Sequence, residues 1–223
     1  MRGVRVLYVD DDPQFAELVA RRLTRARDDF EVATTTDAAA AMDRLESDPF
    51  DCVVSDYQMP GRNGLELHAD VEERHPSLPF ILYTGKGSEE IASEAISAGV
   101  TDYLQKKMGS GQYDLLANRI ENAVESARSK RRAANQRRIN DVASRINRAL
   151  VRQSTRTDIE SRVCDIFSDS DPYRFAWIGD VDPDTRHVEP RAWAGVEEGY
   201  LDSITVTADE RPTGRGPAGV AVR

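Results

Sequence analysis

The stretch DCVVSDYQMPGRNG, residues 51–64, sets an apolar run (Cys52, Val53, Val54) just before a carboxylate, Asp56. A loop of turn formers follows: Pro60, Gly61, Asn63 and Gly64. A short continuous apolar run reads as a strand buried on both faces. A charge at the end of such a strand is costly unless partners compensate it. Four further runs share the pattern: VRVLYV (4–9), FEVATT (30–35), LPFILYT (78–84) and VTDYLQK (100–106). Between them lie segments with helical spacing, such as Phe15, Leu18, Val19 and Leu23, or Ala38, Ala41, Met42 and Leu45. Five nearly all-apolar strands alternating with helices predict an α/β unit, a doubly wound parallel sheet of (βα)5 type. Open sheets of this kind place their active site beyond the carboxyl ends of the strands.

Those ends carry a specific set of groups. The first strand ends in Asp10-Asp11-Asp12, the third in Asp56, the fourth in Thr84 and the fifth in Lys106. Converging carboxylates repel one another and call for a hard cation such as Mg2+, which prefers oxygen ligands. With its charge shielded, Asp56 stays ionised and can act as a nucleophile. The Lys106 ammonium and the Thr84 hydroxyl would then face the oxygens of a transferring phosphoryl group. Each group taken alone has a plainer reading. The aspartate run before Pro13 would cap a helix, Thr84 before Gly85 would be a turn residue, and Lys106 a surface lysine. Four strands ending in the four needed chemistries, in order, favour the joint site.

In these residues, and over about residues 3–128, the chain resembles the receiver domains of two-component response regulators, which are flavodoxin-like in fold. The resemblance implies that Asp56 is the phosphoacceptor, and that Asp10 and Asp11 are the acidic pair. Asp11 would touch Mg2+ directly, Asp10 mainly through water, and the backbone carbonyl of Gln58 would be the remaining protein ligand. Thr84 and Lys106 match the switch hydroxyl and the lysine, and Tyr103 matches the switch aromatic, a role compatible with holding the sheet edge as a half-buried strand residue. The implied partner is a sensor histidine kinase, and the implied role is a phosphoacceptor switch rather than an enzyme. Two positions depart from the pattern. Proline in a cis peptide usually follows the lysine, but here Lys107 does, and without proline the cis form is expensive. A trans loop with Lys106 slightly displaced is therefore expected. Gly85 stands where alanine is commoner, which would open the site to water or to a partner.

A helix is predicted from about 112 to 153, with apolar stripes at Leu116, Ile120, Ala123 and Ala127 and at Ile139, Val142, Ile146 and Ala149. Between them RSKRRAANQRR sets six cations from Arg128 to Arg138, read as a solvated connector rather than a nucleic-acid patch, since aromatics and a reading motif are missing. Two stripes around a polar middle suit a helix that pairs with a second copy of itself. A further helix is expected near TDIE, with Thr157 and Glu160 at capping-box spacing. Strands are expected at 174–181, 187–195 and 204–208, the first two joined by the turn-forming DPDTR.

From about Arg138, INDVASRINRALV, TDIESRVCDIF, DPYRFAWIGDVD and RAWAGVEEGYLDSI together resemble the opening half of a GAF domain. The likeness is to haloarchaeal regulators related to the bacterio-opsin activator, with GYLDSI and GRGPAGVAVR most like that subgroup. The expected organisation is a receiver at 1–128, a signalling helix at 129–153 and a partial GAF-like module at 154–223, truncated at its C-terminus. Trp177 and Trp193 either line a ligand site or pack the hairpin; the GAF ligand is unnamed. His68, His75 and His187 are scattered and expected at surfaces or helix ends.

The formal net charge of −9 argues against nucleic-acid binding by the chain as a whole. Four lysines against 26 arginines, with Asp exceeding Glu, suit either a salt-loving organism or a GC-rich genome. No apolar run approaches the roughly 18 residues of a membrane span, so a cytoplasmic protein is expected. Cys52 and Cys164 read as buried free thiols. Two competing functions stand beside the switch. Asp10 and Asp12 have the spacing of a phosphate-ester hydrolase with an aspartate nucleophile, and the receiver could front a hybrid histidine kinase whose catalytic part lies outside this chain.

Overall fold

The computed structural model describes residues 3–221 apart from 86–88, 108, 110, 154 and 197. The chain divides into two units, Met1–Arg132 and Ala133–Arg223. In the first, β1 (Val4–Val9), β2 (Phe30–Thr35), β3 (Cys52–Ser55), β4 (Phe80–Thr84) and β5 (Asp102–Gln105) alternate with α1 (Pro13–Ala26), α2 (Ala38–Ser47), α3 (Gly64–Arg74), α4 (Glu89–Ala98) and the start of α5 (Gly111–Arg152). The strands form one parallel sheet in the order β2-β1-β3-β4-β5. Strand side chains alternate between faces. Val6, Tyr8, Val54, Ile81 and Tyr83 pack with Val19, Leu23, Leu116 and Ile120 on one face. Leu7, Val9, Val53, Phe80 and Leu82 pack with Ala41, Leu45, Leu67 and Val71 on the other. The strand order reverses between β1 and β3, so the crevice at a switch point opens where these two strands end.

Local chemistry sets the helix starts. Asp12 caps α1 by accepting from Gln14 N and Phe15 N, with Pro13 in the first turn. Asn63 and Glu66 close a reciprocal capping box on α3. His68 departs from the surface placement expected of it. It is buried on α3 with its ring edge-on to Phe80, and that burial holds its pKa below the usual histidine value. Leu116, Ile120 and Ala123 of α5 are buried in the first unit. Two of the six connector cations are engaged there too: Arg128 donates to the Gly3 carbonyl and to Asp51, and Arg131 to the Ser77 carbonyl.

The second unit takes the rest of α5, then α6 (Arg156–Ser168), an antiparallel pair β6 (Phe175–Val181) and β7 (Val188–Gly195), and the short helices α7 (Tyr200–Ser203) and α8 (Pro217–Ala221). Trp177 and Trp193 oppose each other across the pair, Trp193 exposed. Ala149 of α5 is buried, and Ile139, Val142 and Ile146 line a cavity of about 290 Å³ with Phe167 and Tyr173. Of the second stripe, Ala149 is thus buried in this unit, Val142 and Ile146 are partly covered, and Ile139 is exposed.

Two local expectations are corrected here. Thr155, not Thr157, caps α6, because its hydroxyl reaches Asp158 N and Asp158 Oδ2. Glu160 turns instead toward Arg156 and Arg191. The strand expected at 204–208 does not form. Thr207 makes an isolated bridge with His187, and Thr207 Oγ1 turns to Asp209, which also accepts from Arg211 N. That aspartate-centred turn ends the pairing before a ladder can build. The last two residues of GRGPAGVAVR lie outside the described residues. Cys52 and Cys164 are free and buried. No helix among the described residues is long and apolar enough to cross a membrane.

Candidate functional site

Three backbone hydrogen bonds bring the strand ends level. Asp10 N donates to the Thr35 carbonyl at 3.1 Å, Asp56 N to the Val9 carbonyl at 2.8 Å, and Lys106 N to the Thr84 carbonyl at 2.7 Å. Asp10, Asp56, Thr84 and Lys106 therefore emerge along one edge of the sheet. Asp10, Asp56 and Thr84 are buried, while Asp11 is exposed at the rim.

Lys106 is the site's cation. Its Nζ lies 2.7 Å from Asp10 Oδ2 and 3.3 Å from Asp56 Oδ1. The ammonium also sits 4.6 Å from the centroid of the Phe15 ring and 5.8 Å from that of Tyr83, so two aromatic faces stabilise it. The peptide after Lys106 is trans, since the one cis bond among the described residues joins Asp171 to Pro172. Proline is absent, yet the lysine still reaches both carboxylates.

The charges do not balance. Asp10, Asp11 and Asp56 each offer a carboxylate oxygen, all within 4.8 Å of one another, against a single ammonium among the described residues. Asp56 Oδ1 is buried, and the Lys106 ammonium at 3.3 Å is its neighbour. Burial raises the Asp56 pKa above the usual carboxylate value; Lys106 opposes the shift and Asp10 adds to it. Three carboxylates converging within this distance fit a hard divalent cation such as Mg2+. Asp12 stands outside this set because its side chain is spent capping α1. Gln58 lines a cavity of about 350 Å³ together with Asp11, Tyr57, Met59, Pro60 and Asn63.

Two glycines shape the site. A Cβ on Gly64 would collide with the Asp56 carbonyl oxygen and the Leu82 side chain, so this position must be bare for the loop after β3 to close. A Cβ on Gly85 would find Lys106 Cδ at 3.9 Å, ordinary contact distance, so the space left there is the size of a methyl group. Tyr103 of β5 pairs with Leu82 of β4; its hydroxyl is buried without a hydrogen-bond partner, and burial raises its pKa.

Several contributors escaped the sequence reading. Tyr8 OH donates to Asp10 Oδ2 at 2.9 Å. Period-2 alternation offered that signal, because residues 8 and 10 share a face. Phe15, counted only as a core residue, lies beneath the ammonium. Gln112 accepts from Tyr83 OH at 2.8 Å and from Lys107 N at 3.0 Å, and no pattern marked it.

A doubly wound parallel sheet with an acidic cluster at its switch point, faced by a lysine just past the last strand, defines a class of small α/β domain. Residues 6–118 match the response regulator receiver domain, and the chain belongs to that family. Among curated proteins it is 34% identical over 122 residues to the transcriptional regulatory protein FixJ of Bradyrhizobium diazoefficiens, covering 55% of this chain and 57% of that protein. To the C4-dicarboxylate transport transcriptional regulatory protein DctD of Pseudomonas aeruginosa it is 36% identical over 124 residues, covering 56% of this chain and 26% of that one. The chain thus spans about a quarter to just over half of these relatives. A CheY-like receiver domain protein from Methanospirillum hungatei shares the fold, with a TM-score of 0.51 at 23% identity, over 57% of this chain and 98% of that one.

Proposed function

We propose that this chain is a phosphorelay switch whose phosphoacceptor is Asp56. The observation that carries the reading is the buried Asp56 carboxylate, its Oδ1 held 3.3 Å from Lys106 beside Asp10 and Asp11. That oxygen would attack the phosphorus of a sensor histidine kinase's phosphohistidine. A new O–P bond forms, the P–N bond breaks, and the electron pair leaves with the imidazole nitrogen, which takes up a proton. Lys106 would hold the incoming oxygens by charge, and the Thr84 hydroxyl would donate to one of them. Asp10, Asp11, Asp56 and the Gln58 carbonyl would hold Mg2+, which supplies charge neutralisation on the phosphoryl oxygens. Tyr103, with its unpartnered hydroxyl, would follow Thr84 as the switch aromatic.

In this reading the molecule is a switch, not a turnover enzyme. The hydrolase alternative needs Asp10 and Asp12 as nucleophile and acid, and Asp12 is committed to the α1 cap. The second unit is read as the opening part of a GAF-like module of the haloarchaeal type, on the strength of α6 and the β6–β7 hairpin with its opposed tryptophans. Signal would pass to it along α5, and pairing of two copies along that helix belongs to the same reading.

The test is labelling of the full chain by a small acyl phosphate with Mg2+. Wild type takes up label on one aspartate, and Asp56→Asn falls to background. Equal uptake by the two would sink the assignment.

A further inference from the structure

We infer that Gln112 is a positioning residue that holds the Lys106–Lys107 loop, and with it the Lys106 ammonium, against the acidic pocket. The inference rests on the phosphoacceptor reading of that pocket and adds the element that aims its cation. Gln112 is the second residue of α5, and one side-chain atom accepts from two donors: Tyr83 OH at 2.8 Å and Lys107 N at 3.0 Å. The Lys107 amide can only donate, so the atom it faces is the side-chain oxygen. Lys107 N is one residue from Lys106, and Tyr83 presents its ring face to Lys106 Nζ at 5.8 Å. One glutamine oxygen therefore ties the backbone beside the lysine to the ring beneath its ammonium. The tie needs a residue with an N–H at position 107, which proline lacks. It also anchors the lysine loop to the first turn of the helix that runs on to Arg152, so a displacement of Lys106 is felt at the start of α5.

The experiment uses the full chain as wild type, Gln112→Leu and Gln112→Glu, the last keeping an acceptor oxygen at the same reach. Labelling of Asp56 by acetyl phosphate with Mg2+ should slow about tenfold in Gln112→Leu, the scale of one lost net hydrogen bond, and recover to within about twofold of wild type in Gln112→Glu. In parallel, the Lys107 amide should lose protection from hydrogen exchange in Gln112→Leu and keep it in Gln112→Glu. Gln112→Leu labelling at the wild-type rate overturns the inference, as does Gln112→Glu slowing as much as Gln112→Leu. If wild type itself takes no label, or Asp56→Asn labels as well, the phosphoacceptor reading fails separately. Amide exchange then decides the tie: protection lost only in Gln112→Leu supports it, and unchanged protection overturns it.

Discussion

Each unit of this chain gathers acidic side chains around cations, and the two clusters differ in charge balance. In the first, Asp10, Asp11 and Asp56 share Lys106. In the second, Glu160 and Asp180 meet Arg156 and Arg191 two for two. The outcome for aspartate is opposite. Burial lifts the Asp56 pKa, whereas the Arg191 hydrogen bond pulls that of Asp180 down, with the Arg156 charge adding to the effect. A balanced cluster ties α6 to the β6–β7 pair and is complete as it stands. An unbalanced, buried one retains unmet electrostatic demand, and such demand marks sites that bind or react.

The sharpest way to break this comparison is to supply the missing charge. Mg2+ at about a hundred times its dissociation constant should stabilise the first unit by about 2.7 kcal/mol through linkage. Asp11→Asn should abolish most of that gain, and the second unit should not respond. Urea midpoints with and without the ion read this directly; a wild type indifferent to Mg2+ would remove the contrast between the clusters. Next in size, Gly64→Ala forces a methyl group into the Asp56 carbonyl and should cost the first unit about 1–3 kcal/mol. Retained stability in that variant would mean the loop after β3 has room to yield.

Glu160→Gln tests the balanced cluster. It removes a buried charge from between two arginines and should lower stability by about 1 kcal/mol while leaving Asp56 labelling unchanged. A change in labelling would show that the second cluster also serves the reaction. The smallest effect concerns His68, which burial holds below its ordinary value of 6.5. Its folded pKa is depressed, so on acidification the unfolded chain takes up the proton first. The stability contributed by neutral His68 is complete above that ordinary value and is lost as the pH falls through it toward the depressed folded one. The slope is at most about 1.4 kcal/mol per pH unit, one proton's worth. His68→Leu should flatten it in urea titrations between about pH 7.5 and about pH 5.5. An unchanged slope would assign the acid sensitivity to the carboxylates instead.

Much of the first unit was legible in advance because buried parallel strands write themselves as apolar runs. VRVLYV and FEVATT coincide with β1 and β2, and LPFILYT and VTDYLQK overshoot β4 and β5 by one or two residues at an end. The second unit was harder. Its strands are longer than those of the first unit but only partly buried, so no continuous apolar run marks them and side-chain hydrogen bonds compete with the ladder. Thr207 was drawn to Asp209 rather than into a third strand, and Thr155 displaced Thr157 as a cap. His68 was misplaced for a related reason: a histidine carries both an apolar ring and two nitrogens, and only the Phe80 ring beside it settles which part prevails.

Strand periodicity and the residue types at the strand ends were enough to place the sheet and to nominate Asp10, Asp11, Asp56, Thr84 and Lys106. Those properties are local, written within a few residues of each position. Three-dimensional packing assigned the rest. It set Lys106 between Phe15 and Tyr83 and brought Gln112 of α5 to the Tyr83 hydroxyl. Such roles depend on distances between residues far apart along the chain, and no pattern within a single segment encodes them.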